Sequence, residues 1–351
     1  MKALFLYTEL SGYFLSCVQQ LSQKEIDIQV IHWPINNDAP FLFSTDKSIN
    51  LKQKNIFKSF EELEQDCLSF DPDIIYVSGW MDKQYLKLCS RFRDRNKLVI
   101  LAFDNQWKGT AKQYLGIIWS KIFLRKKFSH VWIPGVYQYI LARKLGFNES
   151  QIRFGLYSCD QKRFSDAYQS TLKQKHENYP RNFIFTGRLS KEKGILELYE
   201  IFSNLTDDER NGWKLIIIGT GPLKDLITSN KNIDVRGFIQ PQELQNIISE
   251  VGCHVFPSKI EPWGVAVHEF CSAGLPLLIS NSSGASTAFL RIGINGYSIN
   301  GKDLSDLKQN LLKITRMKTS DLLEFGKNSN KLSFQITPNI WAETFVNIHN
   351  N

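Results

Sequence analysis

Short apolar runs rich in β-branched residues alternate with stretches whose apolar residues recur every three to four positions. Runs at residues 3–7, 28–32, 74–77, 98–102 and 130–133 read as strands. The stretches 12–23, 83–92, 110–127 and 137–145 carry the helical period. Near-continuous apolar strands separated by helices imply parallel sheets covered on both faces. The rhythm breaks at residues 164–181, a polar stretch with no strand pattern that reads as an interdomain connection. A second series follows, with strands at 182–186, 214–218, 233–235, 254–256 and 276–279 and helices at 194–204, 241–250 and 264–273. A last helix is predicted at 338–349, with apolar Ile340, Trp341, Phe345, Val346 and Ile348. The expected architecture is α/β, with two Rossmann-like, doubly wound domains at 1–165 and 181–335 facing a central cleft. Ligands of such sheets sit at the carboxyl ends of the strands.

The chain of 351 residues suits two cores, and 42% hydrophobic with 22% charged residues is a globular composition. No apolar run approaches the ~18 residues of a membrane span. The basic, then apolar start Met1-Lys2-Ala-Leu-Phe-Leu-Tyr7 resembles a signal peptide, but Thr8-Glu9 closes it at once, so it reads as a buried first strand. A cytoplasmic protein is expected. The six cysteines form no CxxC pair and fall in apolar patterns, which favours free buried thiols over a disulfide framework or a zinc site. A formal charge of +8 suits nucleic acid, an anionic membrane surface, an anionic substrate or plain solubility without choosing among them.

Three segments carry candidate chemistry. In Phe185-Thr-Gly187-Arg188-Leu-Ser-Lys-Glu-Lys193-Gly194, a strand ends at glycine and two cations flank the approach to a helix. That arrangement can hold a diphosphate; an ordinary strand-turn-helix with solvated lysines fits equally. In Ile216-Ile-Ile-Gly219-Thr-Gly221-Pro222, a strand runs into a glycine turn, with Pro222 placed for the first turn of a helix. The turn lacks the third glycine of a dinucleotide fingerprint and the Lys-Ser/Thr of a P-loop. In Glu261-Pro-Trp263-Gly264-Val265-Ala-Val-His-Glu269, a carboxylate precedes a helix whose first N–H groups are unsatisfied, and a second carboxylate lies more than one turn inside it. The two acids can grip different parts of one ligand, or be a capping and a surface glutamate.

Taken in order, with Arg236-Gly237-Phe238 between them, these segments resemble the family 4 retaining glycosyltransferases of the GT-B fold. The resemblance covers the chain and is strongest over residues 183–297. It implies that Arg188 and Lys193 hold the donor diphosphate and stabilise it as leaving group. Glu261, helped by Trp263, Gly264 and Val265, holds the transferred sugar, and Glu269 binds the ribose. Gly187, Gly219 and Gly221 form the donor loops, and Gly237 with Phe238 frames the base. It implies that 156–160 closes the first domain, that Asn295-Gly296-Tyr297 follows the donor site, and that the last helix, about 336–351, packs back on the first domain. Gly12 matches the glycine loop that approaches the donor phosphate. Many members carry a histidine near the reacting sugar where this chain has Phe103-Asp104-Asn105-Gln-Trp107. Asp104 therefore becomes the candidate contact to sugar or acceptor, or else a simple turn residue, with Asn105 and Trp107 as acceptor-side candidates. The segment Ser282-Ser-Gly284-Ala-Ser-Thr287 lacks the second glycine and the downstream glutamate common there.

The implied function is retaining transfer of a sugar from a nucleotide-sugar donor, UDP being the commoner base, to a glycan or lipid-linked saccharide in bacterial surface polysaccharide synthesis. Arg188 and Lys193 supply the charge that a metal supplies elsewhere, so no metal and no cofactor are expected. The rivals are a nucleotide-sugar epimerase of the same fold, a glycoside hydrolase using Glu261 and Glu269, and a basic nucleic-acid or lipid-surface binder without catalysis. Aromatic residues follow core periods rather than interleaving with Lys and Arg, which argues against nucleic acid. Residues 114–128 combine large apolar residues with Lys121, Arg125, Lys126 and Lys127. They read either as a core-facing helix with a basic end or as a surface helix resting on anionic lipid at the inner face of the cytoplasmic membrane.

Overall fold

A computed structural model describes residues 1–35, 48–240 and 243–350. The chain forms two compact units, 1–158 with 338–351, and 159–337. The first unit contains β1 (Lys2–Tyr7), α1 (Gly12–Ser22), β2 (Asp27–His32), β3 (Ile49–Gln53), α2 (Phe60–Phe70), β4 (Ile74–Ser78), α3 (Lys83–Asp94), β5 (Leu98–Ala102), α4 (Ala111–Trp119), β6 (His130–Trp132), α5 (Val136–Lys144) and β7 (Ile152–Arg153). Its sheet has the order β3-β2-β1-β4-β5-β6-β7, every pair parallel. The second unit contains α6 (Gln161–Glu177), β8 (Asn182–Thr186), α7 (Ile195–Ser203), α8 (Asp207–Arg210), β9 (Lys214–Ile218), β10 (Ile233–Gly237), β11 (Cys253–Phe256), α9 (Val265–Ser272), β12 (Leu277–Ser280), α10 (Gly284–Phe289), β13 (Gly296–Ile299), α11 (Leu307–Thr315) and α12 (Thr319–Ser333). Its parallel sheet has the order β10-β9-β8-β11-β12-β13. Both orders reverse beside the first strand of the unit, the topological switch point of a Rossmann-like sheet.

The apolar runs are continuous because both faces of each sheet are buried. Along β1, Leu4 and Leu6 join the core under α2, α3 and α5, while Ala3, Phe5 and Tyr7 join the core under α1. Along β8, Phe183 and Phe185 face the α7 and α11 side, and Ile184 faces α6 and α9. Burying each of the leucine, isoleucine and phenylalanine side chains among them stabilises by about 1.5–3 kcal/mol. The N-terminal run is thus a central strand. The final helix α13 (Pro338–Asn350) belongs to the first unit. Its Trp341 stacks on Trp132 at 4.8 Å and donates its indole N–H to the Leu156 carbonyl at 2.9 Å. All six cysteines are buried and none is in a disulfide.

Several sequence expectations need correction. The polar stretch 164–181 is mostly α6, so the first unit ends at Ser158 rather than 165 and the second begins at Cys159. The helix was hidden because its inward stripe includes Gln161, Ser165 and Lys175 beside Phe164 and Tyr168. Lys175 is 1% exposed, and burial lowers its amine to about 7. The helix expected at 110–127 is regular only to Trp119 and continues as a π turn, Ser120–Leu124, and a 3-10 turn, Arg125–Lys127. Residues 241 and 242 lie outside the described residues, and Leu244–Glu250 is 3-10 rather than α. Beyond Pro222 stands only the 3-10 turn Lys224–Leu226. The short strands β3, β7 and β13 lack the long β-branched runs that marked the others.

Candidate functional site

In the second unit the predicted donor residues sit on the loops at the carboxyl ends of β8 to β11. Because β8 lies between β9 and β11, its loop touches both neighbours. On one side Gly187 donates its N–H to the Ile218 carbonyl at 3.0 Å, and Leu189 to that of Thr220 at 2.9 Å. Gly219 in turn donates to the Gly237 carbonyl at 2.7 Å. The turn at Gly219 can only be glycine. Its φ is +143°, and a Cβ there would lie 1.9 Å from the Gly187 carbonyl oxygen. Four of the five predicted loop glycines are therefore one stitched backbone surface. Gly221 belongs to it through the Leu223 N–H, which closes the turn onto the Leu189 carbonyl at 2.9 Å.

On the other side, Lys259 and Ile260 donate their N–H groups to the Glu192 carbonyl at 2.8 and 3.3 Å. The Lys193 ammonium pairs with the Glu261 carboxylate and stands 5.8 Å over the Phe256 ring. Both side chains are largely enclosed, at 22% and 10% exposure. Residues 68 positions apart in the chain meet because both loops leave the switch point. Arg188 is on the same loop and exposed. The Glu261 carbonyl accepts from Gly284 at 3.3 Å, and the Trp263 carbonyl from Ala285 and from the Ser283 hydroxyl at 3.0 and 2.6 Å. Residues after β12 thus brace the Glu261 loop. Gly264 starts α9 at φ +98°, where a Cβ would meet Phe256, Ser283 and Glu261 at 3.0–3.2 Å. Behind it, Val265 and Ala266 begin the helix, where backbone N–H groups have no partner within the helix itself. Trp263 is buried, and its indole N–H has no hydrogen-bond partner among the described residues.

Glu269 sits on the second turn of α9. Burial raises its carboxyl to about 7, with Arg163 pulling it down and Asp160 pushing it up. The sequence gives no sign of these two neighbours: Asp160 reads as part of the 156–160 stretch that closes the first domain and Arg163 as the residue before the polar connection, whereas both belong to the start of α6 in the second unit. Sequence reasoning also gave no role to His268. This residue is fully buried, accepts from the Cys159 N–H at 3.1 Å on Nδ1, and so donates from Nε2 to the Ser333 carbonyl at 3.0 Å. Burial lowers it to about 4, against the Ser333 carbonyl, so it is a neutral tether joining α6, α9 and α12. Nothing but its place in the Glu261–Glu269 segment signalled it.

The acceptor-side candidates are in the first unit. Gly12 is the first residue of α1, capped by the Ser11 hydroxyl, with open space where a Cβ would stand. Asp104 follows β5 and accepts from the Tyr157 hydroxyl at 3.3 Å, while its carbonyl accepts from Gln138 at 2.9 Å. Tyr157 packs edge-on to Tyr13 at 5.5 Å. Burial and then the Asp104 charge hold the Tyr157 phenol well above its ordinary range. Asn105 is exposed. Trp107 is enclosed by Tyr114, edge-on at 5.0 Å, and by Lys144, 4.7 Å over its ring.

Residues 169–332, nearly all of the second unit, match the family model of the glycosyl transferases group 1. The chain carries a group 1 glycosyltransferase domain. A Bacillus subtilis glycosyltransferase named for teichuronic acid biosynthesis is 29% identical over 106 residues, 30% of this chain and 26% of that protein. Alignments with the curated relatives span 26–32% of those proteins' length. The fold is shared over the full chain. Sucrose-phosphate synthase from Thermosynechococcus elongatus matches with TM-score 0.75 at 14% identity, covering 100% of this chain and 98% of that one. The E. coli trehalose-6-phosphate protein bound with UDP-2-fluoro glucose matches with TM-score 0.75 at 10% identity, covering 100% and 99%. The group 1 domain and its companion unit thus have the two-Rossmann GT-B fold.

Proposed function

We propose that the protein is a retaining glycosyltransferase that moves a sugar from a UDP-sugar to a hydroxyl of a glycan or lipid-linked saccharide, in surface polysaccharide synthesis at the inner face of the cytoplasmic membrane. The observation that carries this reading is the Lys193–Glu261 pair beside Arg188, on glycine loops at the switch point of the group 1 domain. A cation and a carboxylate held together there match the two ends of one donor, phosphate and sugar. The UDP-2-fluoro glucose of the E. coli structure supports the choice of base, and the teichuronic acid relative supports the destination.

In the proposed reaction the bond from the anomeric carbon to the diphosphate oxygen breaks, and positive charge develops on that carbon. The acceptor oxygen attacks from the same face and its proton passes to the departing diphosphate. Arg188 and Lys193 stabilise the diphosphate without a metal. Lys193 exchanges its Glu261 partner for phosphate, which frees Glu261 for sugar hydroxyls. Gly187, Gly219 and Gly221 admit the phosphates, Gly237 and Phe238 frame the base, and Glu269 accepts from the ribose. In the first unit, Gly12 leaves room for phosphate, and Asp104, Asn105 and Trp107 serve the acceptor.

UDP at one hundred times its dissociation constant should stabilise the protein by about 2.7 kcal/mol, read as a rise in Tm; a glycoside hydrolase does not respond. The Glu269 role adds a pH signature. A ribose hydroxyl donates to the carboxylate, and this carboxyl titrates near pH 7 when buried. Affinity for an intact sugar nucleotide, whose diphosphate ester does not titrate in this range, should be flat above pH 7. It should fall by about tenfold per pH unit below it. Glu269→Gln should remove the slope, and an unchanged slope in that variant would contradict the assignment.

A further inference from the structure

Between Asp104 and Glu149 the sequence holds eight Lys or Arg and no acidic residue. The whole formal charge of +8 is located there, since the remaining 35 Lys and Arg balance 35 Asp and Glu. The same run carries the densest exposed apolar surface among the described residues. Tyr114, Leu115, Ile118, Trp119, Ile122 and Phe123 are each 44–69% exposed, and α4 buries none of its residues. Ile140 and Val136 on the adjacent α5 are exposed as well.

The segment is nevertheless anchored. Ser120 and Leu124 are buried, and Leu124 reaches the core of the first unit. The Arg125 guanidinium donates to the carbonyls of Phe128 and Gly146 at 2.9 and 3.2 Å and to Gln151 at 2.6 Å. Its underside is therefore fixed while its apolar stripe, at helical spacing, points away from the core. Lys108, Lys112, Lys121, Lys126 and Arg143 are exposed around it.

We infer that 111–127 with α5 is a docking surface for an anionic lipid bilayer. The composition selects this occupant. A second copy of the chain would bring a like positive face against this one. Nucleic acid would take the cations but leave Leu115, Ile118, Ile122 and Phe123 in water. A bilayer takes both. Leucine, isoleucine and phenylalanine enter the headgroup–acyl boundary, Trp119 and Tyr114 sit at its level, and the lysines reach lipid phosphates. No described helix is long and apolar enough to cross a membrane, so the contact is peripheral. The inference adds a place of attachment to the membrane-face reading above, and it stands or falls separately from donor chemistry.

Flotation of the full chain tests it, with vesicles of phosphatidylcholine alone or containing phosphatidylglycerol. The wild type should float with the anionic vesicles, remain behind with the neutral ones, and be released by salt near ~1 M. Leu115→Ser/Ile118→Ser/Ile122→Ser and, separately, Lys112→Glu/Lys121→Glu/Lys126→Glu should each lower the floated fraction by about tenfold. All six positions are exposed, so circular dichroism and UDP binding should stay as in the wild type. The emission of Trp119 should shift to the blue on vesicle addition, a shift missing from Trp119→Phe. Failure of the wild type to float overturns the inference, as does flotation untouched by the apolar triple. Self-association removed by the apolar triple, with no vesicle binding, would identify a dimer interface instead. Oligonucleotide binding without vesicle binding would identify a nucleic-acid surface.

Discussion

Replacing Arg188 with alanine should lower turnover by about 100-fold or more while leaving the melting temperature nearly unchanged. The two halves of this expectation have different origins. Arg188 is exposed at the carboxyl end of β8, so its loss costs the fold little. In the transition state it faces charge accumulating on the departing diphosphate, and a positioned cation is worth most where charge develops. Lys193→Ala should lose comparable turnover but behave differently in stability. It removes the ammonium that pairs with the largely buried Glu261 carboxylate, and losing a hydrogen bond to a charged group costs about 1–3 kcal/mol. Steady-state kinetics beside thermal melts separate the two. Arg188→Ala with wild-type turnover would remove the leaving-group role.

The second large effect is Gly219→Ala. A methyl there meets the Gly187 carbonyl at 1.9 Å, and the φ of +143° is itself unfavourable for alanine. The clash is with backbone that is tied to Ile218, so no side chain can swing aside. Loss of roughly 3 kcal/mol or more is expected, with donor binding lost as the β8 and β9 loops part. Gly12→Ala is the informative contrast. It starts a helix with open space around it, so the fold should tolerate the change or gain slightly. If the space at Gly12 admits donor phosphate, turnover should still fall. Denaturant unfolding with activity measured on both variants checks the pair.

What the sequence disclosed and what it hid follow from the same physics. Strands buried on both faces cannot avoid apolar runs, so the parallel sheets and the two-unit order were readable from β1, β8 and β9. Loops that let backbone approach a ligand need glycine and charge, so Gly187, Arg188, Gly219 and Glu261 stood out. Helix α6 did not, because Gln161, Ser165 and Lys175 occupy its inward stripe and no motif marks it. With it went Asp160 and Arg163, whose charges act on Glu269. The surroundings of Asp104 were equally unreadable, since Tyr157 reaches it from 53 positions away. Periodicity alone left 114–128 open between a core and a surface helix, because both have one apolar stripe. The exposure of Leu115 and Ile118 decides for the surface.

The central claim is that the loops around Lys193 and Glu261 hold a sugar nucleotide and break its anomeric bond. The most direct measurement incubates the full chain with a panel of intact sugar nucleotides and follows released nucleoside diphosphate without acceptor. At least one donor should bind and be cleaved slowly by water, and Arg188→Ala and Glu261→Gln should each suppress that cleavage about 100-fold. If the folded wild type binds and cleaves no sugar nucleotide, or if both variants cleave at its rate, the claim is wrong.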